Sequence, residues 1–395
     1  MSEWKETTLA DLCTDISYGY TESAKQEKVG PKFLRITDIA SGRLEWENVP
    51  YCPIDESNFE KYKLLPGDIV IARTGATTGA NYTIKESDPK DVVFASYLIR
   101  YKINSQIANS YYIGQLLRSP NWSDYVDAIA GGSAQPGANA KQLGSFEILL
   151  PPLPIQTSIA SILSSLDDKI DLLHRQNATL EKMAETLFRQ WFVEEEKEEW
   201  EEVELGDLID VVIDNRGKTP PTVTYQTDYP LIEVNALNSE SCLVDYTVIR
   251  KYVSKDTFET WFRKHLKIND IIISTVGTIG VFSIHLINKG GIAQNLIGLR
   301  SNKISAYYLY NFFKHNKELL ISLDIGGVQP SIKVPHLLEL TIKLPEKELL
   351  NKYDETVKNY FDKITTNYNQ IQTLTALRDT LLPKLMSGEV RVENY

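Results

Sequence analysis

Several stretches of this 395-residue chain occur twice, in the same order. WKETTLADL from Trp4 returns as WEEVELGDL from Trp200, and FLRITDI from Phe33 returns as LIEVNAL from Leu231. LLPGDIVIARTGATTG from Leu64 returns as LKINDIIISTVGTIG from Leu266, and YYIGQLL from Tyr111 as YYLYNFF from Tyr307. QPGANAKQLGSFEILLP from Gln135 matches QPSIKVPHLLELTIKLP from Gln329. A duplication with a period of about 196 residues must build one fold twice, and the length also exceeds what one ordinary core absorbs.

Each half mixes two kinds of signal. KFLRITDI, DIVIARTG, VVFASYLIRY and SFEILLP are short apolar or alternating runs bounded by Gly, Pro, Asn and Asp, which predicts strands. SQIANSYYIGQLLRS and ISAYYLYNFFKHN carry apolar residues at helical spacing. The fold class is therefore α+β, with a proline-marked exit (PPLPIQ, LPEKEL) into a long helix at the end of each half. The expected plan is a first domain over 1–153, a long helix over 154–193, an acidic linker over 194–204, a second domain over 205–345, a second long helix over 346–387 and a tail over 388–395. The tail GEVRVENY stands where VEEEKEEWEEVEL follows the first helix, so it is expected to form a short strand returning toward the first domain.

Read by sevens, residues 155–193 give one row of Ile159, Leu166, Leu173, Leu180 and Leu187 and another of Leu163, Ile170, Asn177, Ala184 and Trp191. Leu in one row, with aliphatic residues and a single Asn in the other, is a coiled-coil seam. The second helix continues the pattern through Val357, Ile364, Ile371, Arg378 and Leu385, with Tyr353, Tyr360, Asn367, Leu374 and Leu381. At about 1.5 Å per residue each helix is roughly 58 Å long. If the two pair antiparallel with their frames centred, Asn177 faces Asn367, and the amide pair rejects slipped registers; the other reading is that one or both amides reach water.

Composition narrows the function. The net charge of −11 argues against nucleic acid until its distribution is considered, for the run Glu194–Glu204 holds eight Glu and one Lys and supplies −7 of it. Such a run reads as a solvated linker or helix end. No stretch approaches the ~18 apolar residues of a membrane span, which predicts a soluble cytoplasmic chain without membrane contact. Cys13, Cys52 and Cys242 are odd in number and far apart, fitting neither a disulfide framework nor a zinc site. Gly217, Lys218 and Thr219 lack the earlier glycine of a phosphate loop, since Val212 stands there, and Asn235 replaces the lysine a metal nuclease would place after Asp228 and Glu233. No His sits at ligand spacing with a partner, so the expectation is no catalysis, no metal and no cofactor on this chain.

What the halves do carry is polar, glycine-rich loops: SYGYTESAK from Ser17, RTGATTGANY from Arg73 and GGSAQPGANAKQ from Gly131, then DNRGKTPPTVT from Asp214, STVGTIG from Ser274, AQN from Ala293 and GGVQPSIK from Gly326. Glycine lets backbone amides approach phosphate, Arg and Lys bring charge, and Asn and Gln can pair with adenine. These loops, the GDIVIARTG strand and turn, the LPPLPIQ exit, the DDKI and FDKI helices, FASYLIR, LEKMAETLFRQWF and the RGKTP turn together resemble the specificity subunit of type I restriction-modification enzymes, over nearly the whole chain.

The resemblance implies a noncatalytic subunit with two target-recognition domains. Each reads one half of a split double-stranded DNA sequence, and the paired helices serve as spacer. It implies two methylation subunits using S-adenosylmethionine, in a complex that can also take up two restriction subunits using ATP and Mg2+. Candidate DNA-binding residues are Tyr20, Lys25, Arg73, Thr77, Asn81, Gln135 and Asn139 in the first half, and Arg216, Lys218, Thr219, Thr275, Thr278, Gln329, Ser331 and Lys333 in the second. Ile162, Met183, Phe188 and Phe192 flank the seam, where they either dock a methylation subunit or pack against the adjacent domain. The alternative for the whole chain is a nonenzymatic coiled-coil scaffold whose domains bind something other than DNA.

Overall fold

The computed structural model describes residues 4–392 apart from 41, 43, 132–136, 218 and 238–240. It divides into two compact units, residues 1–170 with 373–395, and residues 171–372.

In the first unit β2 (Cys13–Tyr18), β7 (Leu98–Ile103), β4 (Asp68–Ala72) and β5 (Asn81–Thr83) form an antiparallel sheet in that order. β3 (Lys32–Leu34) pairs in parallel with β6 (Val92–Phe94), and β1 (Lys5–Thr8) pairs antiparallel with β8 (Glu147–Leu150). The DIVIA run of β4 is buried at every position, as a strand covered on both faces must be. Asn109 caps the helix Ser110–Leu116, accepting from the amides of Tyr111 and Tyr112, while Ser119 with Pro120 opens the helix Pro120–Ala130.

The second unit repeats the plan. β10 (Val211–Asp214), β15 (Leu296–Arg300), β12 (Ile271–Ser274) and β13 (Phe282–Ile284) form the sheet, with β11 (Leu231–Ile232) parallel to β14 (Gly291–Ile292) and β9 (Glu201–Glu204) antiparallel to β16 (Thr341–Leu344). The acidic run is thus more than a linker: its last four residues are β9, whose Glu side chains face out while Val203 turns inward.

The long helices span Leu153–Arg189, continued by a wider π turn over Gln190–Glu194, and Lys347–Met386. Within the second unit they run antiparallel. Asn367 Nδ2 donates to Asn177 Oδ1 at 2.8 Å, and the Tyr353 hydroxyl donates to the Ala184 carbonyl at 3.3 Å. Both asparagines are buried, so neither side chain escapes to water. Phe361, which lies in neither heptad row, is also buried and stacks on Tyr307 with ring centroids 4.5 Å apart.

Within the first unit Ile159 and Leu163 share a core with Leu382 and Leu385. The guanidinium of Arg378 reaches Asp167 at 3.0 Å, and Asp167 also accepts from Arg118 at 2.9 Å and from Gln115 at 2.7 Å. Burial pushes the Asp167 carboxyl up, but these cationic and amide donors outweigh it and hold the group below its ordinary range.

The tail returns to the first unit as expected, but not as a strand. The described residues after Met386 form no strand. Gly388 takes the left-handed conformation (φ +73°) that ends a helix, the Val390 amide reaches back to the Lys384 carbonyl at 3.1 Å, and Val392 packs on the first unit's core. The repeated WKETTLADL and WEEVELGDL segments explain this, because they form β1 and β9. The partner of β8 is therefore β1, which takes the place expected for the tail.

Candidate nucleic-acid interface

In each unit two of the polar loops are clipped together at the end of the sheet. In the first, β4 runs into Arg73, and Thr74 forms an antiparallel bridge with Gly137. The Ala138 amide donates to the Arg73 carbonyl at 2.9 Å. In the second, β12 runs into Thr275, Val276 bridges Ser331, and the Ile332 amide donates to the Thr275 carbonyl at 2.8 Å. The duplication therefore reproduces a pair of loops joined backbone to backbone.

Arg73 anchors the first pair. Its Nε donates to the Ser96 carbonyl at 3.2 Å, and its guanidinium lies 5.2 Å from the Tyr18 ring centroid. Its amide donates to the Tyr97 carbonyl at 3.1 Å. Two exposed aromatics, Tyr18 (44%) and Tyr97 (57%), thus flank the arginine. Tyr20 lies beside them, its carbonyl accepting from the Ser96 amide and its ring 5.2 Å from Tyr62. Thr77 is half-buried in the turn, and Lys25 is exposed, its backbone paired with Tyr51. Asn139 is exposed, but its side chain accepts from the Gln142 amide as a helix cap. Gln135 lies outside the described residues.

Asn81 must be corrected. It is buried at the start of β5, where Nδ2 donates to the carbonyls of Leu117 and Gly79, so it ties a helix end to the sheet and presents nothing to a ligand.

In the second unit Thr278, Gln329 and Lys333 are exposed around the clipped loops, and Ser331 is half-buried between them. Thr275 is the other correction: it is fully buried, with its amide and hydroxyl both directed at the Asn295 carbonyl. The RGKTP turn follows β10. There Arg216 grips Asp214 with Nε at 2.9 Å and Nη2 at 2.6 Å, and this pairing holds the Asp214 carboxyl below its usual range. Thr219 is exposed, and Lys218 lies outside the described residues.

Sequence reasoning passed over Asn215. This buried amide accepts from the Arg263 and Lys264 amides at 3.0 and 3.4 Å and donates to the Lys264 carbonyl at 3.2 Å, holding an exposed basic pair beside the turn. Exposed Tyr97 was passed over too, although FASYLIR contains it.

Of the residues flanking the seam, Ile162 and Met183 are exposed at 37% and 43%. Phe188 and Phe192 are buried in the second unit against Tyr308 and Tyr353, so for these two the packing reading holds and docking does not. Among the described residues no group of three or more His, Cys, Asp or Glu could hold a metal ion, and no helix is long and apolar enough to cross a membrane.

Two copies of one α+β module, each presenting a matched pair of clipped polar loops, define a duplicated recognition protein. The family model described as "Type I restriction modification DNA specificity domain" matches residues 1–182 and 197–376, and the chain belongs to that family. The MjaIX specificity subunit of a type I restriction enzyme from Methanocaldococcus jannaschii is 28% identical over 348 residues, covering 83% of this chain and 76% of that one. The HindI specificity subunit from Haemophilus influenzae is 23% identical, covering 99% of this chain and all of its own. In fold, the S subunit of a type I system from M. genitalium superposes with a TM-score of 0.60 at 15% identity, over 99% of this chain and 97% of that one. The two domains are DNA specificity domains, and target recognition in a type I restriction-modification system is their function.

Proposed function

We propose that the chain reads a bipartite DNA target, one half-site per domain, and carries two methylation subunits to it, with two restriction subunits joining where the system has them. The observation that carries this reading is the recurrence of the clipped loop pair, Thr74 with Gly137 and Val276 with Ser331, in both copies of the specificity domain. Phosphate contacts position a protein on DNA and side chains at base edges specify the sequence, so each loop pair serves as a reading head. Arg73 with Thr77 and Asn139, and Thr278 with Gln329, Ser331 and Lys333, are the groups proposed to meet DNA. Tyr20, Lys25, Arg216 and Thr219 lie on adjoining turns. The reaction chemistry belongs to the partners: S-adenosylmethionine on the methylation subunits, ATP and Mg2+ on the restriction subunits, and no bond made or broken by this chain, which works in the cytoplasm. Ile162 and Met183, two of the exposed apolar residues on the first helix, are the groups proposed for partner docking.

Methylation mapping with loop variants tests the assignment of domains to half-sites. Gln329→Ala with Lys333→Ala should relax or erase one half of the modified sequence and leave the other half intact. Asp at Ile162 and Met183 should instead lower modification of the whole motif without altering its sequence. Loop variants that changed both halves equally would refute one domain per half-site.

A further inference from the structure

Val328 is fully exposed, at 108% of its reference surface, on a loop built to hold it there. Asp324 Oδ1 accepts from the amides of Gly326 at 3.2 Å and Ser331 at 2.9 Å, and the Ile325 amide donates to the Ser331 carbonyl at 3.0 Å. The Gly277 amide donates to the Pro330 carbonyl at 3.0 Å, which fastens the same loop to its neighbour. Gly326 and Gly327 turn the chain with φ of +71° and +140°, conformations that side-chain-bearing residues avoid. The tip that results presents Val328 next to exposed Gln329, with Thr278 exposed on the adjoining loop and Ile325 44% exposed at the base.

The fold gains nothing from a valine there. Scattered exposed apolar residues are ordinary, but this one is lifted clear of the domain by a loop whose base is hydrogen-bonded on both sides, next to a glutamine able to read bases. An aliphatic group cannot satisfy the donors and acceptors of guanine, cytosine or adenine in the major groove. The 5-methyl of thymine is the one apolar feature displayed there. Valine is also shorter than the Phe, Leu, Ile and Met wedges that pry base pairs apart from the minor groove. Gln329 beside it has the amide that pairs with adenine N6 and N7. In the first half Ala134 stands at the matching sequence position before Gln135, so the two reading heads differ at this point.

We propose that Val328 is a specificity-determining residue of the second domain, making apolar contact with the 5-methyl group of a thymine in one half-site while Gln329 faces an adenine edge beside it. The inference rests on the DNA-reading function above and adds the base class that this loop selects.

The test uses the full chain with its methylation subunit on duplexes carrying the mapped target, each thymine replaced in turn by uracil, which removes the methyl and leaves the hydrogen-bonding edge. At one position of one half-site, uracil should slow methylation about fourfold, the worth of one buried methyl group. Val328→Ala should show a loss of at least that size on the thymine duplex and no further loss on the uracil duplex, the signature of a shared contact. Losses that multiply, a loss spread evenly over all duplexes, or the absence of any uracil-sensitive position would overturn the proposal. An unchanged thermal melting profile for Val328→Ala separates these outcomes from misfolding. If the wild-type complex modifies no defined sequence, the DNA-reading function falls as well; if it modifies a split sequence with no uracil-sensitive position, this inference alone falls.

Discussion

His285 lies inside the second domain at 1% exposure, and neither imidazole nitrogen has a hydrogen-bond partner among the described residues. Its neighbour Asp270 attracts protons to it, but Asp270 is already gripped by Arg300 through two hydrogen bonds of 2.8 and 2.7 Å. Burial therefore dominates and pushes the imidazole down to about 4 from an ordinary 6.5. Because the folded value lies below the unfolded one, the contribution to stability is complete above about pH 6.5 and is lost as the pH falls toward 4. Between pH 7 and pH 5 this group should cost the second domain about 2 kcal/mol. Urea denaturation at the two pH values should show that loss in the wild type and a much smaller one in His285→Leu; equal losses would show that His285 does not carry the acid sensitivity.

Residue-scale outcomes also mark where the sequence stops being informative. Asn81 and Thr275 sit in loops of the right composition, yet their side chains turn inward to satisfy backbone carbonyls of Leu117 and Asn295. Composition locates a polar loop. Which of its residues the fold itself consumes depends on carbonyls left open by elements some 20 to 40 positions away along the chain.

Among the elements, the long helices were the most legible. A 3.5-residue repeat dictates which residues face a partner, and midpoint symmetry was enough to set Asn177 against Asn367. The pattern did not show the seam's other occupants. Arg378, a charge in an apolar row, donates to Asp167, and Phe361 enters from outside both rows to stack on Tyr307. Asp167 stands just outside the rows of the first long helix, and Tyr307 belongs to a helix of the adjoining domain, so no heptad records either contact. Phe188 and Phe192 were ambiguous for the same reason and prove to be core.

The amide pair has a measurable consequence. Asn367→Leu leaves the Asn177 amide buried without its donor and should destabilise the chain by about 1–3 kcal/mol. Replacing both asparagines by Leu should recover most of that loss, because no polar group is then stranded. Chemical denaturation of the two single variants and the double variant checks this. A double variant as unstable as the sum of the singles would mean that the two side chains act independently.

For the whole molecule, the duplication was the decisive sequence signal. It predicted one α+β fold built twice, and the sheets β2-β7-β4-β5 and β10-β15-β12-β13 do repeat each other strand for strand. The tail returns to the first unit as expected, with Val392 against its core, but its described residues form no strand, because the strand paired with β8 is β1. Net charge was a poor guide for a related reason: most of it comes from one acidic run, part of which is a strand remote in sequence from the clipped polar loops.

As proposed above, this chain gives a methylation subunit a split DNA sequence to modify. This is tested most directly by mapping adenine and cytosine methylation in host DNA when the methylation subunit is expressed with this chain and when it is expressed alone. A motif of two defined half-sites separated by a constant gap should be present only when the chain is present. A stable complex that left no new motif in the DNA would contradict it and return the chain to the reading of a coiled-coil scaffold.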